Sequence, residues 1–161
     1  MGINDMTKIP VLLRINPEIN YLVGNIIVPA KALTYKIDEQ THEILETIKP
    51  RTHEFENRLK SDLQKELDGV KQFPTKKEVF VSIIHGMHAE KEYKTCDLDN
   101  RAKTILDAMK GPVYIDDSQV KLLWTEKKFL KGEEQSYYRI SVKILDNILY
   151  KKISKYMKNI I

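Results

Sequence analysis

Glu78-Val79-Phe80-Val81-Ser82-Ile83-Ile84-His85 is the stretch from which the fold can be read. β-Branched residues stand on both faces of an extended chain here, which predicts a strand covered by neighbours and central in a sheet. Gly86 to Thr95 then reads as a loop. The sequence turns helical from Asp97 to Met109 and is stopped by Gly111-Pro112. Two more β-rich runs follow, Val120 to Phe129 and Ser136 to Leu145, joined through Leu130 to Gln135 as a hairpin would be. Strands and helices in this order predict an α+β fold.

Toward the N-terminus, Ile9 to Ile15 predicts a first strand ended by the turn signal Asn16-Pro17, and Asn20 to Val28 a second closed by Pro29. From Asp38 the texture becomes helical. Asp38 or Thr41 can cap, Ile44 and Ile48 lie four apart, and Pro50 divides the stretch into two helical pieces. The second piece carries Phe55, Leu59, Leu63 and Leu67 on one i,i+4 stripe and ends at Gly69, the pattern of an amphipathic helix facing a core. At the other end of the chain Leu149, Ile153, Tyr156 or Met157, and Ile160 recur at helical spacing among Lys151, Lys152, Lys155 and Lys158. The organisation expected is a body over 1–145 and a basic amphipathic helical extension over 146–161.

The 161 residues are 42% hydrophobic and 31% charged, values of a single globular domain rather than a disordered chain. No apolar run approaches the roughly 20 residues that span a bilayer. A basic segment leading into an apolar one is absent at the N-terminus, and the single cysteine, Cys96, cannot form an internal disulfide. A cytoplasmic location is the expectation. The net charge of +4 is unevenly spread. Gln119 to Ile161 holds ten Lys or Arg against four acids, whereas Asp38 to Asp68 holds five against nine. A polyanion would meet the C-terminal third first, because phosphate binding is driven by counterion release onto Lys and Arg.

Chemistry concentrates in Cys96-Asp97-Leu98-Asp99-Asn100-Arg101-Ala102-Lys103 and in Val113-Tyr114-Ile115-Asp116-Asp117-Ser118-Gln119. Gathering ionised carboxylates is unfavourable unless a cation compensates them or one takes a proton, and magnesium is the usual compensation. If Asp97, Asp99 and Asp117 converge, their hard oxygens suit magnesium or manganese and phosphodiester hydrolysis. Lys103, one turn after Asp99, would offset transition-state charge. Simpler roles compete: helix capping by Asp97 or Asp99, turn formation by Asp116-Asp117-Ser118, and an ion pair of Lys103 with Asp99 or Asp107. His85 and His88 lack the further ligands of a zinc site, and Cys96 has no base partner. Trp124, Tyr137 and Tyr138 could stack on unpaired bases, but on strands aromatics usually pack.

The combined motif Asp97-Leu98-Asp99-Asn100, Lys103, Asp107-Ala108-Met109 and Tyr114-Ile115-Asp116-Asp117-Ser118-Gln119-Val120 resembles the RusA-type Holliday junction resolvases, often encoded by prophages. The resemblance implies a homodimeric α+β endonuclease with a small mixed sheet and packed helices. It implies a magnesium-dependent enzyme that nicks two strands of a four-way DNA junction symmetrically, in recombination and repair. By matching positions, Asp97, Asp99 and Asp117 are the implied metal ligands, Lys103 the catalytic lysine, and Asp116 a supporting turn residue. Cys96 departs from the pattern, since family members often carry an arginine there. DNA contact is then expected from Lys94, Arg101, Lys127 and Lys128. The rival readings are a non-catalytic protein that binds branched DNA and a metal-dependent nuclease for flaps or RNA.

Overall fold

A computed structural model describes residues 15–26, 28–29, 34–48, 52–132 and 135–160. Among the described residues six strands and four helices follow one another: β1 Ile19–Gly24, β2 Thr34–Ile37, β3 Ile44–Ile48, α1 Thr52–Glu66, β4 Val79–Met87, α2 Glu90–Lys94, α3 Leu98–Met109, β5 Val120–Phe129, β6 Tyr137–Ile144 and α4 Asn147–Ile160. Four strands form a mixed sheet in the order β1-β6-β4-β5, and β2 and β3 form a separate antiparallel pair. The α+β architecture expected from the sequence is therefore the one observed.

β4 is interior to the sheet, as its β-branched composition predicts, with β6 antiparallel on one side and β5 parallel on the other. A parallel neighbour needs a long crossover, which α2 and α3 supply. Alternate β4 residues Val79, Val81 and Ile83 point to one face and are fully buried with Val142 and Ile140 of β6. Leu59 and Leu63 of α1 and Ala102, Ile105, Ala108 and Met109 of α3 complete that core. Each such side chain removed from water contributes on the order of 1.5–3 kcal/mol, so this layer fixes where α3 lies. On the opposite face Phe80, Ser82 and Ile84 pair with Lys143, Ser141 and Arg139 and are only half-buried. Gly86 is required there: a Cβ on it would sit 2.3 Å from Cε1 of Tyr137, whose ring lies across the position.

The helix of residues 52–66 carries its stripe as read, with Leu59 and Leu63 buried and Phe55 and Leu67 packed at the margin of the core. Gly69 at φ 76° follows it. Four expectations are corrected. The stretch after Asp38 is not helical but the β2–β3 pair, with Gln40 N and Thr41 N donating to Asp38 Oδ1 at 2.8 and 3.0 Å to close the turn. A spacing of four, as between Ile44 and Ile48, fits a period of two as well as one of 3.6, and β-branched residues decide for the strand. β5 and β6 are not a hairpin, because β4 takes the place between them. The loop expected over Gly86 to Thr95 contributes the end of β4 and the five residues of α2. The strand read as Asn20 to Val28 ends at Gly24, where Asn25 turns to φ 59°. The strand expected at Ile9 to Ile15 lies, but for Ile15, outside the described residues.

Candidate active site

Asp97 is the N-cap of α3 and Asp99 lies in its first turn, where the positive end of the helix dipole favours negative charge. Both are exposed. The carboxyl of Asp97 is held below the ordinary range chiefly by the hydrogen bond it accepts from Asp99, and next by the side-chain amide of Asn100, which donates to its Oδ2. Two carboxylates at one exposed helix start are hard donors that suit a cation between them. Lys103 is exposed one turn further along, and no ion pair holds it among the described residues. Asp99, Lys103 and Asp107 thus follow one another at i,i+4 on a single face of α3.

Asp117 takes a different place. The ammonium of Lys110, the C-cap of α3, lies 3.0 Å from Asp117 Oδ2 and 3.6 Å from Asp107 Oδ1. Asp117 therefore stands at the far end of α3 from Asp97 and Asp99, since Asp99 and Lys110 are separated by roughly 16 Å of helix. Among the described residues no three His, Cys, Asp or Glu side chains come together in a metal-binding group. The three acids that the motif joins are brought together only as a pair in one chain, with the third apart. Lys110 was not singled out by sequence reasoning; the i,i+3 spacing from Asp107 was the available signal.

The segment that carries Asp117 is firmly built. Tyr114 is fully buried and donates its hydroxyl to Leu106 O at 2.7 Å, while Thr75 N donates to Val113 O at 2.9 Å. Asp116 caps a short 3-10 turn, Asp117–Gln119, accepting from Ser118 N at 2.9 Å, and Gln119 Oε1 accepts from the Asp116 N–H at 3.0 Å. Its supporting position agrees with the turn reading, and the D-x-x-Q spacing of a capping box was visible in the sequence.

The cations expected to meet DNA divide. Arg101 is 8% exposed, donating from NH1 to Val28 O at 2.7 Å and from NH2 to Glu92 Oε2 at 3.1 Å. Lys127 is half-buried with its ammonium on Tyr93 O at 2.9 Å. Lys94 and Lys128 are exposed, paired on the surface with Glu90 and Glu126, contacts that hold little energy and yield readily to a phosphate. Cys96 is half-buried, and burial raises its thiol pKa, the reverse of what a nucleophile needs.

Behind this end of α3, His85 is 2% exposed and its Nε2 has no partner among the described residues. Burial, with the Arg101 charge second, lowers its pKa from 6.5 to about 4. The folded pKa lies below the unfolded one, so the unfolded chain binds the extra proton. Stability is full above the unfolded value and is lost as pH falls toward 4. His85→Phe is expected to lose less stability than the wild type between pH 7 and 4, by up to about 3 kcal/mol, in urea titrations at the two pH values.

A basic α+β domain that presents paired carboxylates and an unpaired lysine on an open helix face falls in the class of nucleases. The model of the family described as Endodeoxyribonuclease RusA matches residues 16–144. That span covers most of the chain, and the chain belongs to the RusA family of endodeoxyribonucleases, the Holliday junction resolvases. Enzymes of this family act on branched DNA and are generally dependent on a divalent metal. The match stops before α4. No curated protein matches the chain. Among the described residues no helix is long and apolar enough to cross a membrane.

Proposed function

We propose that this chain is a homodimeric, magnesium-dependent resolvase that nicks two strands of a four-way DNA junction symmetrically, serving recombination and repair in the cytoplasm. The observation that carries this reading is the match to the endodeoxyribonuclease family over residues 16–144, with which the exposed Asp97 and Asp99 at one helix start fit as hard donors for a cation. Two hard carboxylate donors fit magnesium, with manganese as the substitute. Asp117 is the third ligand proposed. In one chain it is held away by Lys110, and we assign it to the site of the partner subunit.

Asn100 holds the Asp97 carboxylate in place for the metal, and Asp99 lies beside it. Lys103 projects its charge one turn from Asp99, where a phosphate would lie, and stabilises the pentacoordinate transition state. Asp97 and Asp99 would hold the magnesium ion, which when bound would supply an activated water and offset the charge of the scissile phosphate. Lys94 and Lys128, together with the lysine-rich C-terminal third, hold the DNA arms. The second subunit is what makes two symmetric cuts possible.

The test is incubation of the protein with an end-labelled mobile four-way junction, with and without magnesium. Paired nicks at symmetric positions that require the metal, and binding that weakens steeply with salt, are the expected result. Tight junction binding with no product in magnesium or manganese would remove the catalytic reading, and equal nicking of flaps or RNA would change the substrate.

A further inference from the structure

None of the residues Asp97 to Asn100 is buried, so the helix start that carries the paired acids has no apolar anchor of its own. The first buried residue of α3 is Arg101, a cation. Its guanidinium grips two other segments: one terminal nitrogen donates to Val28 O at 2.7 Å and the other to Glu92 Oε2 at 3.1 Å. Nearly one turn on, Thr104 Oγ1 donates to Pro29 O at 2.9 Å, so two side chains of α3 hold the backbone of 28–29. α2 buries no residue, and the Glu92 contact is the ion pair that ties it to α3.

Taking a guanidinium out of water is unfavourable, and an apolar side chain of similar size in such a place is often no less stable. What the planar fork adds is geometry, since it fixes the distance and angle of its partners together. His85 does not contest the cation, because burial and then the Arg101 charge hold its pKa down to about 4 and keep it neutral.

We infer that Arg101 is a positioning residue of the proposed metal site, locking α3 to α2 and to Val28 and so fixing where Asp97 and Asp99 stand. This rests on the metal-site reading given above. The backbone N–H of Arg101 donates to Asp97 O at 3.2 Å, which joins the clamp to the N-cap itself. Asn100, its neighbour in sequence, holds the Asp97 carboxylate through the side-chain amide. Ligand oxygens must meet a metal ion to within about 0.2 Å, so a helix start free to rock gives up affinity. α2 also carries Lys94, and the clamp therefore sets the acids and that cation in one frame.

Manganese alone, titrated calorimetrically into the full chain, reads this geometry without DNA. Arg101→Met is apolar and of similar length but lacks the fork, and its half-saturating manganese concentration is expected to rise about 10- to 100-fold. By charge alone, removing a cation beside the acids would tighten binding instead, so the sign of the change separates positioning from electrostatics. Glu92 lies at the surface side of the clamp and can be replaced without disturbing the core. Glu92→Ala should weaken manganese binding about 10-fold, whereas Glu92→Gln, which loses the charge but keeps an acceptor, should bind as the wild type does. Ile140→Val, a core truncation on β6, should also bind manganese normally, which separates positioning from lost stability.

Hydrogen exchange of metal-free protein gives a second readout. The amides of Tyr93 and Thr95 donate to Ala89 O and Lys91 O. In Arg101→Met they should exchange at least about 10-fold faster, with Val81 and Ile140 of the sheet unchanged. Unchanged or tighter manganese binding by Arg101→Met, equal loss in Glu92→Gln and Glu92→Ala, or unchanged exchange at Tyr93 and Thr95 would overturn the inference. Wild-type protein that binds no manganese would fail the metal site itself and take the inference with it, a result seen before any variant is compared.

Discussion

Asp97→Asn is expected to leave a folded, dimeric protein that still binds a four-way junction but nicks it more than about 100-fold more slowly. The residue is exposed, so nothing in the core depends on it. Its carboxyl is held below the ordinary range by Asp99 and Asn100, so the ionised group favours the folded state at neutral pH, and only slightly on so exposed a surface. Thermal unfolding in the presence of a chelator should therefore give an unchanged or slightly lowered Tm. Adding magnesium stabilises a protein that binds it in the folded state alone, by an amount set by concentration over Kd. The wild type should show that rise in Tm, and Asp97→Asn should lose it together with nicking. Loss of nicking with the metal-induced rise intact would take Asp97 out of the ligand set. Conserved activity would leave the residue as a helix cap only.

The residues that made the body legible in the sequence are those whose pattern has one physical explanation. Phe55, Leu59, Leu63 and Leu67 at i,i+4 with charge elsewhere can only be one face of a helix, and α1 buries that face. Val79, Val81 and Ile83, with Phe80 and Ile84 on the other face, fit a strand interior to a sheet, and β4 has a partner on each edge. Ile44 and Ile48 did not carry that distinction, and their segment forms β3. Strand order was also hidden: β5 and β6 do run in opposite directions, as a hairpin would, but which strand separates them depends on contacts far apart in sequence. At the site, Asp97 and Asp99 share a helix start and their closeness was readable. The place of Asp117 was not. Gly111-Pro112 ends α3, and seven residues from Gly111 to Asp117 could span up to about 24 Å if extended. They instead fold onto Tyr114 and Lys110 at the end they began from. Burial of Arg101 was equally hidden, because its partners Val28 and Glu92 belong to other segments.

Mixing two inactive variants should restore nicking, if the partner's Asp117 completes each site. Take Asp97→Asn and Asp117→Asn, each inactive alone, and let the subunits exchange in equal amounts. About half of the dimers formed at random are mixed. In a mixed dimer one site combines both lesions and is dead. The other draws its D-x-D pair from the Asp117→Asn subunit and its Asp117 from the Asp97→Asn subunit, and every ligand in it is native. Since only one of two sites works in half of the dimers, recovery should approach about a quarter of the wild-type sites. Each mixed dimer has one competent site, so nicked junctions should form without the paired cut that separates the arms. If each site instead took all three carboxylates from its own chain, every site in the mixture would lack one ligand and no activity would return. The outcome separates the two arrangements by presence against absence of product, a larger contrast than any single substitution offers.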